Sequence, residues 1–234
     1  YTTSANDNGN VFEDKIAVTL FTQQPGQVIH YTTDGSDPDE NSPVYTSILT
    51  FDKTTVLKAK AFLPGMETGY EICVPFIKGV CKPAINYSKI TAGLEASIFE
   101  GAWTKLPLFD TMKAADILAI DNFHIPSGYA NRDHFGMHFK GYIRVPSDGL
   151  YQFHLQSDDG SLLTVSGTEI ISNDGIHGPD ELTGGIMLKK GLHEIELKYF
   201  EAGGGEELML QMEGPGIKKQ TVPASMLFRK KRDE

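Results

Sequence analysis

Short runs of alternating apolar and polar residues recur along the whole chain, separated by Gly, Pro, Asn and Asp, while helical periodicity is almost absent. The spacing is that of β-sandwich strands, so the chain is expected to be all-β. Early strands are predicted at Ile16-Ala-Val18-Thr-Leu20, Val28-Ile-His-Tyr31-Thr-Thr33 and Val56-Leu57-Lys-Ala59-Lys-Ala61, with turns at Gln24-Pro25-Gly26, Asp34-Gly35-Ser36-Asp37-Pro38 and Pro64-Gly65. From Cys73 to about Thr91 the pattern lapses into Pro, Gly and Lys punctuation, which marks a linker. A second, longer series begins near Gly93 with Ala96-Ser-Ile98-Phe99, followed by irregular chain through Pro107 and Asp110. Phe135, Met137, Phe139, Gly141, Ile143 and Val145 share one face of a long strand. Pro146-Ser-Asp-Gly149 then turns the chain into Tyr151, Phe153 and Leu155, a pattern that predicts a hairpin. Further strands are expected at Leu162–Val165, Ile186–Leu188, Glu194–Phe200 and Leu208–Met212, closed by Val222–Phe228.

With 234 residues and 40% hydrophobic content the chain can build one or two substantial cores. A net charge of −10 without a basic stripe argues against nucleic acid or an anionic membrane as partner, and favours neutral ligands or cations. No apolar run approaches the roughly 20 residues that span a bilayer. The opening Tyr1-Thr-Thr-Ser is neither an initiator Met nor a signal peptide, and reads as the start of a piece of a longer precursor. Cys73 and Cys81, eight residues apart, either close a small disulfide in an oxidising compartment or remain two thiols. Arg229-Lys-Lys-Arg232 reads as a solvated basic tail.

The chemistry is concentrated where the strand Tyr151–Ser157 runs into Asp158-Asp159-Gly160-Ser161. Successive side chains of an extended strand point to opposite faces, so two adjacent acids converge only if the backbone bends, for instance through a cis peptide. Converged carboxylates would suit calcium, which prefers about six to eight oxygen ligands. The alternative is a polar turn with Gly160 at positive φ and both acids solvated.

Ile29-His-Tyr31-Thr-Thr-Asp34-Gly35-Ser36-Asp37-Pro38, with Ser42-Pro-Val44-Tyr45 and Thr55–Phe62, resembles the chitobiase/β-hexosaminidase C-terminal-type domain. That resemblance implies an immunoglobulin-like spacer without catalytic residues, attached to secreted bacterial glycosidases. Phe135–Pro146, Gly149–Phe153, Ser157–Ser161, Asp174-Gly175-Ile-His177 and Gly191–Phe200 resemble the anthrax protective-antigen-type module, a β-sandwich of glycosidases, adhesins and flocculins. In its lectin members consecutive acids joined by a cis peptide hold calcium, which grips sugar hydroxyls; Asp158 and Asp159 occupy that motif. The lectins add a ligand, often Asn, from a later loop. Here that loop is Glu201-Ala-Gly-Gly-Gly-Glu206-Glu207 without Asn, leaving Glu201 or Glu206 as the oxygen donor.

The resulting division is an immunoglobulin-like domain over 1–76, a linker over 77–92, the larger sandwich over 93–228 and a basic tail over 229–234. The expected partners are a glycan or polysaccharide and the catalytic domain of the same parent, plausibly a β-N-acetylhexosaminidase, in a secreted, periplasmic or cell-surface bacterial setting. The chain itself is expected to be non-catalytic. Glycoside hydrolysis usually needs two carboxyls about 5–9.5 Å apart across the scissile bond, not adjacent acids on one ion, and no Gly-x-Ser-x-Gly or His-Glu-x-x-His motif is present.

Trp103, the only tryptophan, either stacks on a sugar or covers the sandwich edge. His134 and His138, four apart on a strand, are separated by roughly 13 Å and cannot share one ion; they are expected on the outer sheet face with Lys140, Tyr142 and Arg144. His177 is expected near Asp158 and Asp159, bonded to loop backbone.

Overall fold

The computed structural model describes residues 11–22, 26–63, 66–67 and 71–231. The expected turns at Gln24–Gly26 and Pro64–Gly65 fall wholly or partly outside these, as does Arg232 of the basic run. The chain divides into two compact units, Tyr1–Cys81 and Lys82–Glu234, and both are built from strands.

In the first unit β1 (Val11–Phe12), β3 (Val28–Thr32), β5 (Thr55–Leu63) and β7 (Ile72–Lys78) form a sheet in the order β1-β7-β5-β3, with β6 (Met66–Glu67) paired to β5. A second sheet pairs β2 (Ile16–Val18) with β4 (Leu49–Phe51). Ile16, Val18, Ile29, Phe51, Leu57, Ala59 and Phe76 alternate inward and make the core. The Asp34-Gly35-Ser36 motif is a self-bonded turn, because Asp34 Oδ1 accepts from both the N–H (3.0 Å) and the hydroxyl (2.6 Å) of Ser36. Lys58 on β5 pairs with Asp37 just beyond it.

Residues 72–78, where the sequence pattern lapses, form a strand. Pro75 lies in it opposite Val56, and β1 reaches only Ile77 and Lys78, so a residue lacking an N–H is tolerated there. The span expected as a linker is thus ordered at both ends: Ile77 and Lys78 finish β7, while Lys82 and Ile85 bridge to Leu188 and Leu192 of the second unit. Cys73 is exposed and Cys81 buried, and neither is in a disulfide.

The second unit is a sandwich. Its first sheet runs β10 (Asp116–Ile120), β9 (Leu94–Glu100), β11 (Phe135–Val145), β16 (Gly191–Glu201), β13 (Ser161–Val165) and β14 (Thr168–Asn173), with β19 (Leu227–Lys230) also paired to β11 and β8 (Ile90–Ala92) paired to β19. Its second runs β15 (Asp180–Leu188), β12 (Gly149–Asp158), β17 (Glu207–Gly214) and β18 (Ile217–Thr221). Phe135, Met137, Phe139, Tyr151, Phe153, Leu155, Leu163, Ile195, Leu197, Tyr199, Leu210 and Met212 fill the space between them.

The hairpin expected at 146–149 does not form. β11 pairs with β9, β16 and β19, whereas β12 pairs with β15 and β17. The turn instead carries the chain from one sheet to the other. Alternation fixes which face of each strand is buried, but two inward faces fit a crossover as well as a hairpin.

The outer face of the first sheet is also partly dry. Phe99, Gly136 and Phe200 lie side by side on β9, β11 and β16, and the segment 101–115 folds over them. Its Phe109, 1% exposed, stacks on Phe99 at 4.6 Å. His138 is consequently buried beneath Phe109, between Asp110 and Glu196, rather than on a wet face. His134 precedes the strand with φ 61°. Among the described residues no helix is long and apolar enough to cross a membrane.

Candidate functional site

Three connections cross between the two sheets at the same end of the sandwich: Asp158–Ser161 between β12 and β13, 173–180 between β14 and β15, and 201–207 between β16 and β17. A sandwich leaves its crossover loops outside the core, so polar side chains collect there. Asp158, Asp159 and Glu201 meet at this end, each offering a carboxylate oxygen within 4.8 Å of the others. The Asp158–Asp159 peptide is cis.

The three acids are held differently. Asp159 is 2% exposed and fastened on both oxygens: Oδ1 accepts the His177 N–H (2.9 Å) and Oδ2 the Ala202 N–H (2.8 Å). One carboxylate thereby ties all three crossovers together. Glu201 is 1% exposed; Oε1 accepts the Gly203 N–H (2.7 Å) and Oε2 faces the Tyr199 hydroxyl (2.9 Å). Asp158 is half-buried, and among the described residues its carboxylate has no hydrogen-bond donor. It is the free hand of the cluster.

Burial and mutual repulsion set the electrostatics. Burial, then the neighbouring Asp159, raises the Asp158 carboxyl above its ordinary range. Burial pushes Glu201 up to about 7, with Asp159 and Asp158 adding to the rise against the bonds from Tyr199 and Gly203. Burial also raises the Tyr199 phenol, and Glu201 adds to it, so Tyr199 stays protonated and can donate. Burial pulls His177 down, but its bonds to the Gly178 and Asn173 carbonyls and the charge of Asp159 reverse this to a net rise. Three crowded acids, only partly compensated by N–H donors, are an arrangement that could hold a cation. Its donors are all oxygen, the preference of hard ions such as calcium or magnesium.

Of the residues expected at the site, Asp158, Asp159 and Glu201 converge. Glu206 does not join them: its Oε1 accepts the Asn131 N–H at 2.6 Å and so shapes the neighbouring loop. A side chain at Gly205 would lie 3.6 Å from Asp158 Oδ2, so small residues keep that flank open. Trp103 also stays out of the cluster. Its ring packs edge-on to Phe109 at 6.0 Å and lies against Gly101 and Gly136, so it covers the outer face of the first sheet rather than an edge. His177 holds loop carbonyls with its ring, as expected, and Asp159 with its N–H.

Tyr199 was not singled out from the sequence. It sits in an inward row with Ile195 and Leu197, indistinguishable by period from core. The available signal is that a tyrosine in an aliphatic row must find a partner for its hydroxyl. That partner is the site: the hydroxyl lies 2.5 Å from the Asp158 carbonyl oxygen and 2.9 Å from Glu201 Oε2.

A groove of about 690 Å³ lies on the first sheet away from the acids, lined among others by Lys140, Tyr142, Glu194, Glu196 and Arg229. Lys140 is paired to Asp110 and Glu196 to His138, so this is a laddered, solvated sheet face.

Residues 7–72 match the family model of the chitobiase/beta-hexosaminidase C-terminal domain, and residues 92–225 match that of the PA14 domain. No curated protein matches the chain. Among solved structures, the PA14 domain of the MpAFP antifreeze protein is 16% identical with a TM-score of 0.52, covering 64% of this chain and 96% of that one. The PA14 sugar-binding domain from an RTX adhesin is 16% identical at a TM-score of 0.51, covering 59% and 98%. An anti-sigma factor domain-containing protein is 15% identical at a TM-score of 0.53, covering 96% of this chain and 90% of that one, so its likeness runs through both units. At these identities the likeness is one of fold.

Proposed function

Because the chain belongs to the PA14 domain family through residues 92–225, we propose that its second unit is a calcium-dependent carbohydrate-binding module and its first an immunoglobulin-like spacer. Together they form a non-catalytic accessory region of a larger secreted or surface protein. The observation that carries this reading is the convergence of Asp158, Asp159 and Glu201 within 4.8 Å, at a loop end, with only oxygen donors.

The residues fit calcium in kind. Asp159 and Glu201 are pre-set by backbone and hydroxyl donors, so little ordering entropy is lost when they take up an ion. Asp158, without a donor of its own, is the ligand free to coordinate and to face solvent. When bound, calcium would supply coordination to sugar hydroxyls. The partly exposed Asp158 and the flank kept open at Gly205 leave room on that side for the sugar. Bunched within 4.8 Å of one another, the three acids differ from the two carboxyls set across a scissile bond that glycoside hydrolysis usually uses.

Holding a glycan raises its effective concentration at whatever else the parent carries. The match of residues 7–72 supports a glycoside hydrolase parent of the β-N-acetylhexosaminidase type. A second reading of the parent is favoured by the likeness to an anti-sigma factor domain-containing protein across 96% of this chain. There the same pair of domains would present glycan binding to a regulatory partner rather than to an active site.

The test is a glycan array on this chain in calcium and again in EDTA, with Asp158→Ala/Asp159→Ala alongside. Binding that needs calcium and is lost in the double variant is the expected result. Absence of binding in every condition, from folded protein, would leave a packing or spacer role instead.

A further inference from the structure

Beneath the three acids lies a buried layer of hydroxyls. Ser157 and Ser161, both fully buried, bond to each other at 2.7 Å across the base of the Asp158–Gly160 turn. Ser161 pairs in register with Tyr199, itself fully buried, whose ring belongs to the core and whose hydroxyl emerges at the site. That hydroxyl lies 2.5 Å from the Asp158 carbonyl oxygen and 2.9 Å from Glu201 Oε2. Among the described residues it is thus the one group within hydrogen-bond reach of both the backbone that carries Asp158 and the carboxylate opposite, its single proton shared between two acceptors.

We infer that Tyr199 is the positioning residue of the cation site, fixing the separation of Asp158 and Glu201 from below without itself ligating. The inference rests on the proposed calcium reading and deepens it. An ion needs its oxygens placed before it arrives. Asp159 is placed by N–H groups of the two neighbouring loops. Among the described residues the Asp158 carboxylate has no donor, so its place depends on its backbone, whose carbonyl accepts from Tyr199. Glu201 has one oxygen held by the Gly203 N–H in its own loop and the other within reach of the same Tyr199 hydroxyl, whose proton it shares with the Asp158 carbonyl. Removing the hydroxyl would leave the ring in the core but let both acids relax apart. Groups in this relation to a metal ligand commonly alter affinity about 10–100-fold when lost.

Tyr151 supplies a matched control. It is equally buried on β12, and its hydroxyl donates to the Ser147 carbonyl at 2.8 Å, beside the turn that precedes β12 and so at the strand end opposite Asp158. Calcium titration by calorimetry of wild type, Tyr199→Phe and Tyr151→Phe, with melting in EDTA recorded for each, tests the inference. We expect the wild type to bind, Tyr199→Phe to bind about ten-fold or more weakly, and Tyr151→Phe to bind as wild type even where its melting point falls equally. Equal affinity of Tyr199→Phe and wild type overturns the positioning role while leaving the calcium site standing. Equal weakening in both variants overturns it too, by showing that general loosening suffices. No calcium binding by the folded wild type overturns the underlying reading, and this inference with it.

Discussion

The Ala202 N–H donates to Asp159 Oδ2 at 2.8 Å, joining the tip of β16 to the β12–β13 turn across 43 residues. With the His177 N–H on the other oxygen, Asp159 serves the fold as well as the proposed ion site, whereas the Asp158 carboxylate, with no donor among the described residues, would serve only that site. The two neighbours should therefore respond oppositely to neutralisation in EDTA. Asp159→Asn replaces one acceptor with an NH₂ facing an N–H, and should destabilise by about 1–3 kcal/mol. Asp158→Asn removes a repelled charge that has no donor to lose, and should leave stability unchanged or slightly raised. Urea unfolding of both variants without calcium checks the contrast, and equal losses would contradict it.

Glu201 makes the site sensitive to pH. Its folded carboxyl is raised to about 7 from an ordinary 4.5, chiefly by burial. The folded state therefore keeps this proton when the unfolded chain has lost it. The stabilisation this gives the ion-free protein is complete below about 4.5 and is lost as pH rises through 7. Calcium has to displace the same proton, so apparent affinity should climb from pH 5.5 and level off above about 7. Glu201→Gln should flatten the stability profile in EDTA over that window. Melting curves and calcium titrations from pH 5 to 8 would measure both, and a wild-type profile parallel to that of Glu201→Gln would rule out Glu201 as the group responsible.

What could be read from the sequence was each strand's face and the acid pair; what could not was which strand meets which. Phe135–Val145 and Tyr151–Leu155 alternate as cleanly as any hairpin, yet they belong to opposite sheets, because a period of two specifies burial and is silent on partner. Asp158 and Asp159 stood out because adjacent acids are odd at a strand's end. Glu201 was legible only as one of two candidates, since the choice over Glu206 depends on a loop in which Asn131 claims Glu206 from 75 residues away. Segment 101–115 looked like connection, but Phe109 makes it a lid on the sheet and turns the outward His138 into a buried residue.

Gly160 follows the two acids for a reason of space. A Cβ there would stand 2.3 Å from Phe200 Cε1 and 3.0 Å from the backbone N and O of Gly175. Phe200 is fully buried and cannot swing away, and Gly175 belongs to the neighbouring crossover. Gly160→Ala should therefore cost about 1–3 kcal/mol by overpacking and spread the loops that Asp159 joins. The expected signature is a lowered melting point together with weakened calcium binding. A variant as stable as wild type would mean that the 173–180 crossover yields freely, and that the loops are less tightly set than the bonds at Asp159 imply.

The lid over the first sheet is held by packing more than by charge. Asp110 gathers Lys140 at 2.7 Å and Lys198 at 3.6 Å, and Lys140 keeps the Asp110 carboxyl below its ordinary range, but the aspartate side chain is 58% exposed. Exposed pairs of this kind contribute about 0–1 kcal/mol and are screened by salt. Phe109 is buried, stacked on Phe99 at 4.6 Å and set against His138, and removing such a ring typically costs about 3–5 kcal/mol. Phe109→Ala should thus destabilise several-fold more than Asp110→Ala, and high salt should erase the small Asp110 effect alone. The segment also touches the site's surroundings, since the Leu106 N–H donates to Asp174 Oδ1 at 2.7 Å in the crossover that carries His177. Phe109→Ala should accordingly speed amide hydrogen exchange at Leu106 and at His177, whose N–H is bonded to Asp159, while Asp110→Ala leaves both protected. If the Asp110 variant frees these amides as fully as the Phe109 variant, charge rather than the buried ring holds the lid down.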